Sequence, residues 1–168
     1  MLTLFMSSCS ADTADSITLV EDGQPTATII IRASALAAQP TSPGRGTADQ
    51  KVSFAATDLQ KYIQKMTGAT LPIASDQTEI KGAVVLVGSS KLTEALGVKI
   101  PSGLTSQRQE EGFVIITKDN SLVLAGNDEK PYNGTYYAVA ELLHRLGVRW
   151  YMPTEFGEVV PTVSGIGF

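Results

Sequence analysis

The stretch TADQKVSFAATDLQKYIQKMTG, residues 47–68, decides how the rest of this chain is read. Val52, Ala55, Ala56, Leu59, Tyr62, Ile63 and Met66 recur at the i, i+3/i+4, i+7 spacing of a helix. At helical periodicity they share one stripe about 120° wide, so the segment predicts an amphipathic helix that buries this face. Thr47 and Gln50 fit a capping box at its start, and Gly68 can supply a left-handed stop. Such a stripe needs another layer to lie on.

The flanking segments supply that layer. Upstream, SITLVEDGQPTATIIIRA (16–33) reads as two strands around an Asp22-Gly23 turn, and Ala27–Ile31 is apolar and β-branched enough for a buried strand. SALAAQPTSPGRG (34–46) reads as a loop, from its prolines, glycines and small polar residues. Downstream, Thr70–Ala74 and Ala83–Val87 read as strands, the latter covered on both faces because it is continuously apolar. A short helix near Lys91–Leu96 and the linker GVKIPSGLTSQRQ precede a hairpin, Gly112–Thr117 and Ser121–Ala125, around Asp119-Asn120. A second long helix runs from Gly134 to Leu146, with Tyr136, Val139, Leu142, Leu143 and Leu146 on its apolar face. Asn133 is placed to cap it and Gly147 to stop it. An extended VRWYMP, a turn and a short EVVP strand complete the order.

That order, β-β-α-β-β-α-β-β-α-β, predicts an α/β fold of the α+β sandwich kind. A mixed β-sheet of about six strands carries two long amphipathic helices. Strictly alternating βα units are absent, which argues against a doubly wound nucleotide fold.

Composition narrows the function classes. A length of 168 residues predicts a single α/β domain, placed over 16–163, with 164–168 as a tail or the start of a further domain. With 43% hydrophobic residues, a core can form without disulfide staples. One cysteine and one histidine rule out an internal disulfide, a Cys/His zinc cluster and a two-histidine metal site. A net charge of −4 with no basic stripe argues against nucleic acid as a partner. No apolar run approaches the ~20 residues that span a bilayer.

Residues 1–15 are expected to be either a lipoprotein-like signal or a disordered N-terminus. MLTLFMSSC places Cys9 after small residues, as in exported bacterial lipoproteins acylated at that cysteine, but Met6 stands where leucine is usual and no basic n-region precedes it. On the signal reading the protein is exported, as a periplasmic or outer-membrane lipoprotein or otherwise secreted. Membrane attachment would then go only through lipidated Cys9.

VLVGSS (85–90) lacks the second glycine of a nucleophile elbow and any phosphate-loop pattern, so a serine-capped strand-to-helix turn explains it better. Asn127, Asp128 and Glu129 in GNDEKPYNG offer oxygen ligands, but without the order of a calcium loop. Asn133-Gly134-Thr135 matches a glycosylation sequon, yet capping accounts for Asn133. The acid pairs Glu110/Glu111, Asp128/Glu129 and Glu155/Glu158 have no desolvating neighbours in sequence that suit a glycosidase dyad. His144 falls in the polar sector of the second helix, beside Glu141 and Arg145. Trp150 and Tyr151 alternate, so one should face inward. The outward one joins Met152 and Phe156 in an apolar patch of the kind that marks a contact surface. Trp150, Tyr151, Met152 and Phe156 are therefore the domain-contact candidates. A small hydrolase site of Asp128, His144 and Glu155 is the least favoured reading.

Five blocks in order carry a family resemblance: AATDLQKYIQKMTGATLPIA, AVVLVGSS, EEGFVIITKDNSLVLAGND, NGTYYAVAELLHRLGVRWYMP and FGEVVP. Across about residues 16–161 the chain resembles the non-catalytic N-terminal domain of α-glucuronidase-type glycoside hydrolases. A similar domain precedes the catalytic barrel of β-N-acetylhexosaminidases. The resemblance implies an accessory domain of an exported enzyme of glycan degradation, packed against a (β/α)₈ barrel that carries the catalytic acids. It implies no catalytic residue, no cofactor and no metal in this segment. The chain departs from the family in the Pro/Gly loop at 34–46 and in the lysine-proline of NDEKPYNG. The alternative is a free-standing, lipid-anchored carbohydrate- or protein-binding module using exposed Tyr132, Tyr137, Trp150 and Tyr151.

Overall fold

The structure, a computed structural model, describes residues 16–42, 45–101, 111–129 and 131–168. Cys9 and Glu110 lie outside them. The expected α+β sandwich is found. Its central sheet is built from β3 (Ala27–Ile31), β4 (Ile73–Ser75), β5 (Ala83–Val87), β6 (Phe113–Lys118) and β7 (Ser121–Gly126), in the order β4-β3-β5-β7-β6. The first four in that order run parallel, and β6 closes the edge antiparallel to β7.

One face of this sheet carries the two long helices, α2 (Ala48–Thr67) and α4 (Gly134–Arg145). Every stripe residue of α2 from Val52 to Met66 is buried, against Ile29 and Ile31 of β3 and Val85 and Val87 of β5. Thr47 and Gln50 form the full capping box, and Gly68 stops the helix at φ 78°. The opposite face holds a smaller cluster: Ile30, Leu86, Val123 and Ala125 beneath Ile80, Leu96, Val98 and Ile100. Leu96 directly follows α3 (Lys91–Ala95), whose N-cap Ser90 accepts the Thr93 N–H as the turn reading required. Parallel strands covered on both faces must be apolar throughout, which is why Ala83–Val87 shows no alternation.

Several local expectations are corrected. The strand β1 (Thr18–Glu21) does hairpin around Asp22-Gly23, but its partner β2 is only Gln24–Pro25. After Thr26 the chain leaves that ribbon for the central sheet. Part of the expected 34–46 loop is a short helix, α1 (Ala33–Ala37), with Ala35 buried. Within 164–168, read as a tail or the start of a further domain, Ile166–Gly167 form β10 against β1. Asn133 makes no side-chain cap on α4. Asp128 does that work: Oδ1 accepts the Thr135 N–H at 3.1 Å and Oδ2 accepts the Thr135 hydroxyl at 2.6 Å. Burial pushes the Asp128 pKa up, opposed by these two hydrogen bonds.

The end of β7 and the start of α4 touch backbone to backbone. The Gly134 N–H donates to the Asn127 carbonyl at 2.7 Å. A Cβ on Gly134 would stand 2.8 Å from both the Gly112 carbonyl oxygen and the Gly126 carbonyl carbon. Alanine ordinarily stabilises a helix by about 1 kcal/mol over glycine, but here backbone atoms would have to move. Gly134→Ala is therefore expected to destabilise, by about 2 kcal/mol or more, as measured by urea denaturation. A gain in stability would show that the contact yields cheaply.

Candidate interaction site

The exit segment after α4 contains all four contact candidates. Gly147, at φ 100°, stops the helix, and buried Val148 directs the chain into β8 (Arg149–Trp150). β8 pairs antiparallel with β9 (Glu158–Val159), and the loop between them closes on a 3₁₀ turn, Glu155–Gly157. Three backbone bonds hold the loop: Tyr151 N–H to Gly157 O, Thr154 N–H to Met152 O and Gly157 N–H to Thr154 O, each 2.8 Å. Only glycine fits at 157, because a Cβ there would overlap the Met152 backbone.

Tyr62 pins this loop to α2. Its hydroxyl accepts the Trp150 Nε1–H at 2.7 Å and donates to Glu158 Oε1 at 2.7 Å. Lys65 Nζ donates to Glu158 Oε2 at 2.6 Å. The Tyr62 and Trp150 rings meet edge to face at 5.3 Å, a favoured aromatic geometry. Burial, reinforced by the nearby Glu158 carboxylate, pushes the Tyr62 phenol up to about 12 against the opposing Trp150 hydrogen bond. The Lys65 ammonium and the Tyr62 hydroxyl hold Glu158 below the usual carboxylate range.

What the pinned loop presents is apolar. Phe156 is 98% exposed, Tyr151 74%, Met152 55% and Trp150 40%. A shallow cleft of about 520 Å³ runs among Trp150, Tyr151, Met152, Pro153, Thr154, Glu155 and Glu158. The alternation of Trp150 and Tyr151 was expected to bury one ring. Instead Trp150 lies on the rim against Tyr62, and neither ring enters the core. Singly exposed apolar residues are ordinary; four on one hairpin held by Tyr62 and Lys65 of α2 form a patch.

A second concave region lies at the carboxyl ends of the parallel strands. Chain order reverses between β3 and β5, since β4 lies on one side of β3 and β5 on the other. Such a switch point is where open α/β sheets bind ligands. Arg32, Ser89, Asn127 and Asp128 meet there beside two hollows of about 360 and 400 Å³. The polar groups are already engaged with one another. Arg32 Nε pairs with Asp49, and Arg32 Nη1 donates to the Ser89 carbonyl at 3.3 Å. Asp76 accepts the Ala33 and Lys91 N–H groups. Lys51, almost fully buried, donates to the Asp128 and Tyr132 carbonyls at 3.2 and 2.5 Å.

The hydrolase constellation is not assembled. Asp128 sits before α4 and His144 near its end, separated along the helix by about 15 Å at 1.5 Å per residue. His144 is exposed, and its carbonyl accepts Arg149 Nη1 at 2.6 Å. Asn127 Oδ1 accepts the Glu129 N–H, as in an Asx turn, and among the described residues no group of three His, Cys, Asp or Glu could hold a metal ion. No helix among them is long and apolar enough to cross a membrane. Set against known proteins, the chain matches no family model, and no curated protein matches it.

Sequence reading placed Tyr62 in the apolar stripe but missed its hydroxyl's role. The one signal was a tyrosine where an aliphatic residue would suffice, since a buried phenol needs partners. Removing that hydroxyl by Tyr62→Phe strands Trp150 Nε1 and one Glu158 oxygen, and should cost about 1–2 kcal/mol in urea denaturation. The pH response follows from Glu158, whose folded pKa lies below its unfolded value. Its contribution is present above the ordinary glutamate range and is lost as pH falls through the lowered folded pKa. Trp150 emission should shift to the red over that acid interval, and Glu158→Gln should abolish the step. An unchanged acid transition in Glu158→Gln would refute the pinning role.

Proposed function

We propose that this chain is a non-catalytic accessory domain of an exported glycoside hydrolase of the α-glucuronidase type. Its work is to buttress the catalytic (β/α)₈ barrel through the exit flank. The observation that carries the reading is the rigid apolar loop of Trp150, Tyr151, Met152 and Phe156. An exposed phenylalanine and tyrosine lose nothing by being held in place only if a partner covers them, and covering such a patch is strongly favourable. The segment after β9 is tied to the same helix that pins the flank: Val163 N–H donates to Met66 O at 2.9 Å, at the end of α2. The order of the five sequence blocks supplies the enzyme class. On this reading Cys9 anchors the exported protein to a membrane.

A second reading, a free-standing glycan-binding module, draws on Trp150 and Tyr151 as a stacking platform. Polysaccharide titration monitored by Trp150 fluorescence separates the two, because a buttress shows no saturable change.

Two measurements test the main proposal. The isolated chain should release no sugar from aryl glucuronide or N-acetylhexosaminide substrates; turnover abolished by a single Glu→Gln change would sink it. In the complete gene product, amides of residues 150–159 should exchange at least about tenfold more slowly than in the isolated chain. Equal exchange in both would mean that nothing docks on the flank.

A further inference from the structure

β6 is the outer strand of the central sheet, and its pairing shows which backbone groups face outward. Gly88 N–H donates to Leu124 O and Val84 N–H to Asn120 O, so the even-numbered residues of β7 address β5. Ser121, Val123 and Ala125 therefore bond to Lys118, Ile116 and Val114, their register partners in β6. The N–H and C=O groups of Phe113, Ile115 and Thr117 point away from the sheet. No hydrogen bond to them occurs among the described residues.

The two edges of the sheet are treated differently. β4, at the far edge, is three residues long and follows Pro72, both ordinary means of discouraging strand addition. β6 is six residues long, has an unbroken register without a bulge, and reads FVIITK. Its single charge, Lys118, is at the end, with its ammonium donating to the Leu96 carbonyl at 2.8 Å. Phe113 and Ile116 are 37% and 40% exposed on opposite faces of the strand. A long, regular, apolar edge of this kind is a template for another strand.

We propose that two copies of this chain pair β6 against β6, antiparallel about a twofold axis at Ile115, to make one continuous sheet. The sequence is self-complementary in this register. Ile115 meets Ile115 of the copy, and Phe113 and Thr117 meet the copy's Thr117 and Phe113, using the outward groups on both strands. On the other face Ile116 lies opposite the copy's Val114, covering the exposed isoleucine. Lys118 falls opposite Gly112 of the copy, so no like charges are opposed within Phe113–Lys118; just beyond the strands Glu111 falls opposite the copy's Asp119, which weakens the pairing at its two ends. A twofold strand pair is closed and leaves no further edge of this type. The interface is separate from the exit flank, and neither proposal depends on the other.

Sedimentation velocity on the chain from micromolar to millimolar concentration tests this. The expected result is a monomer–dimer equilibrium, with exchange at the Phe113, Ile115 and Thr117 amides slowed about tenfold as the dimer fills. Thr117→Pro removes one outward amide that the sheet itself does not use, and Ile116→Lys puts a charge on the edge through an exposed side chain. Each should leave a folded monomer, while Phe156→Asp should leave the dimer intact. A monomer throughout the range overturns the proposal. So does a dimer that survives both β6 substitutions, or one dissolved only by Phe156→Asp.

Discussion

When the stripe from Val52 to Met66 leaves water for the faces of β3 and β5, it fixes more than one helix. α2 is 20 residues long, so it reaches about 30 Å, from the carboxyl ends of the strands to the ribbon of β1 and β10. At its start Asp49 fixes Arg32 and Lys51 fixes the loop before α4. One residue further on Val52 packs against Gly88, whose positive φ and lack of Cβ let the chain turn beneath the helix. Near its end Tyr62, Lys65 and Met66 hold the exit segment and the strand that follows. Loss of the stripe would release all of these at once, as expected of a core that folds as one unit.

The parts legible in the sequence were those governed by local period and turn chemistry. The α2 stripe, its capping box and glycine stop, the apolar run of β5 and the Asp119-Asn120 hairpin all rest on contacts a few residues apart. The positive φ values of 49° and 58° at Asp119 and Asn120 are what a two-residue turn of that type demands. Parts set by distant partners were not legible. Ala33–Ala37 is rich in good helix formers, but five residues are too few to hold a helix alone, and the turn persists because Ala35 packs into the core. Asp128 displaced Asn133 as the cap because the close approach of Gly126 and Gly134 brings the preceding loop over the start of α4. Ile166–Gly167 is a strand only because β1 offers an edge.

The exit flank shows the same division. Four apolar residues near the end of the chain could be found by inspection, but not that Trp150 and Tyr151 would both stay out of the core. Their rigidity came from Tyr62, 88 residues before Trp150. The loop keeps the Phe156 ring in water, at a steady energetic cost. Polar atoms elsewhere follow the usual rule: among the described residues, no buried side-chain nitrogen or oxygen lacks a hydrogen-bond partner.

Lys51 carries that rule into chemical reactivity. Its ammonium donates to the carbonyls of Asp128 and Tyr132, and only a free, deprotonated amine attacks an acylating reagent. Surface lysines such as Lys61 and Lys91 are open to such reagents at once. Lys51 becomes available only while the loop is lifted from α2, so its labelling rate is a clock for that opening and reports motion at the carboxyl end of the sheet without any engineered probe.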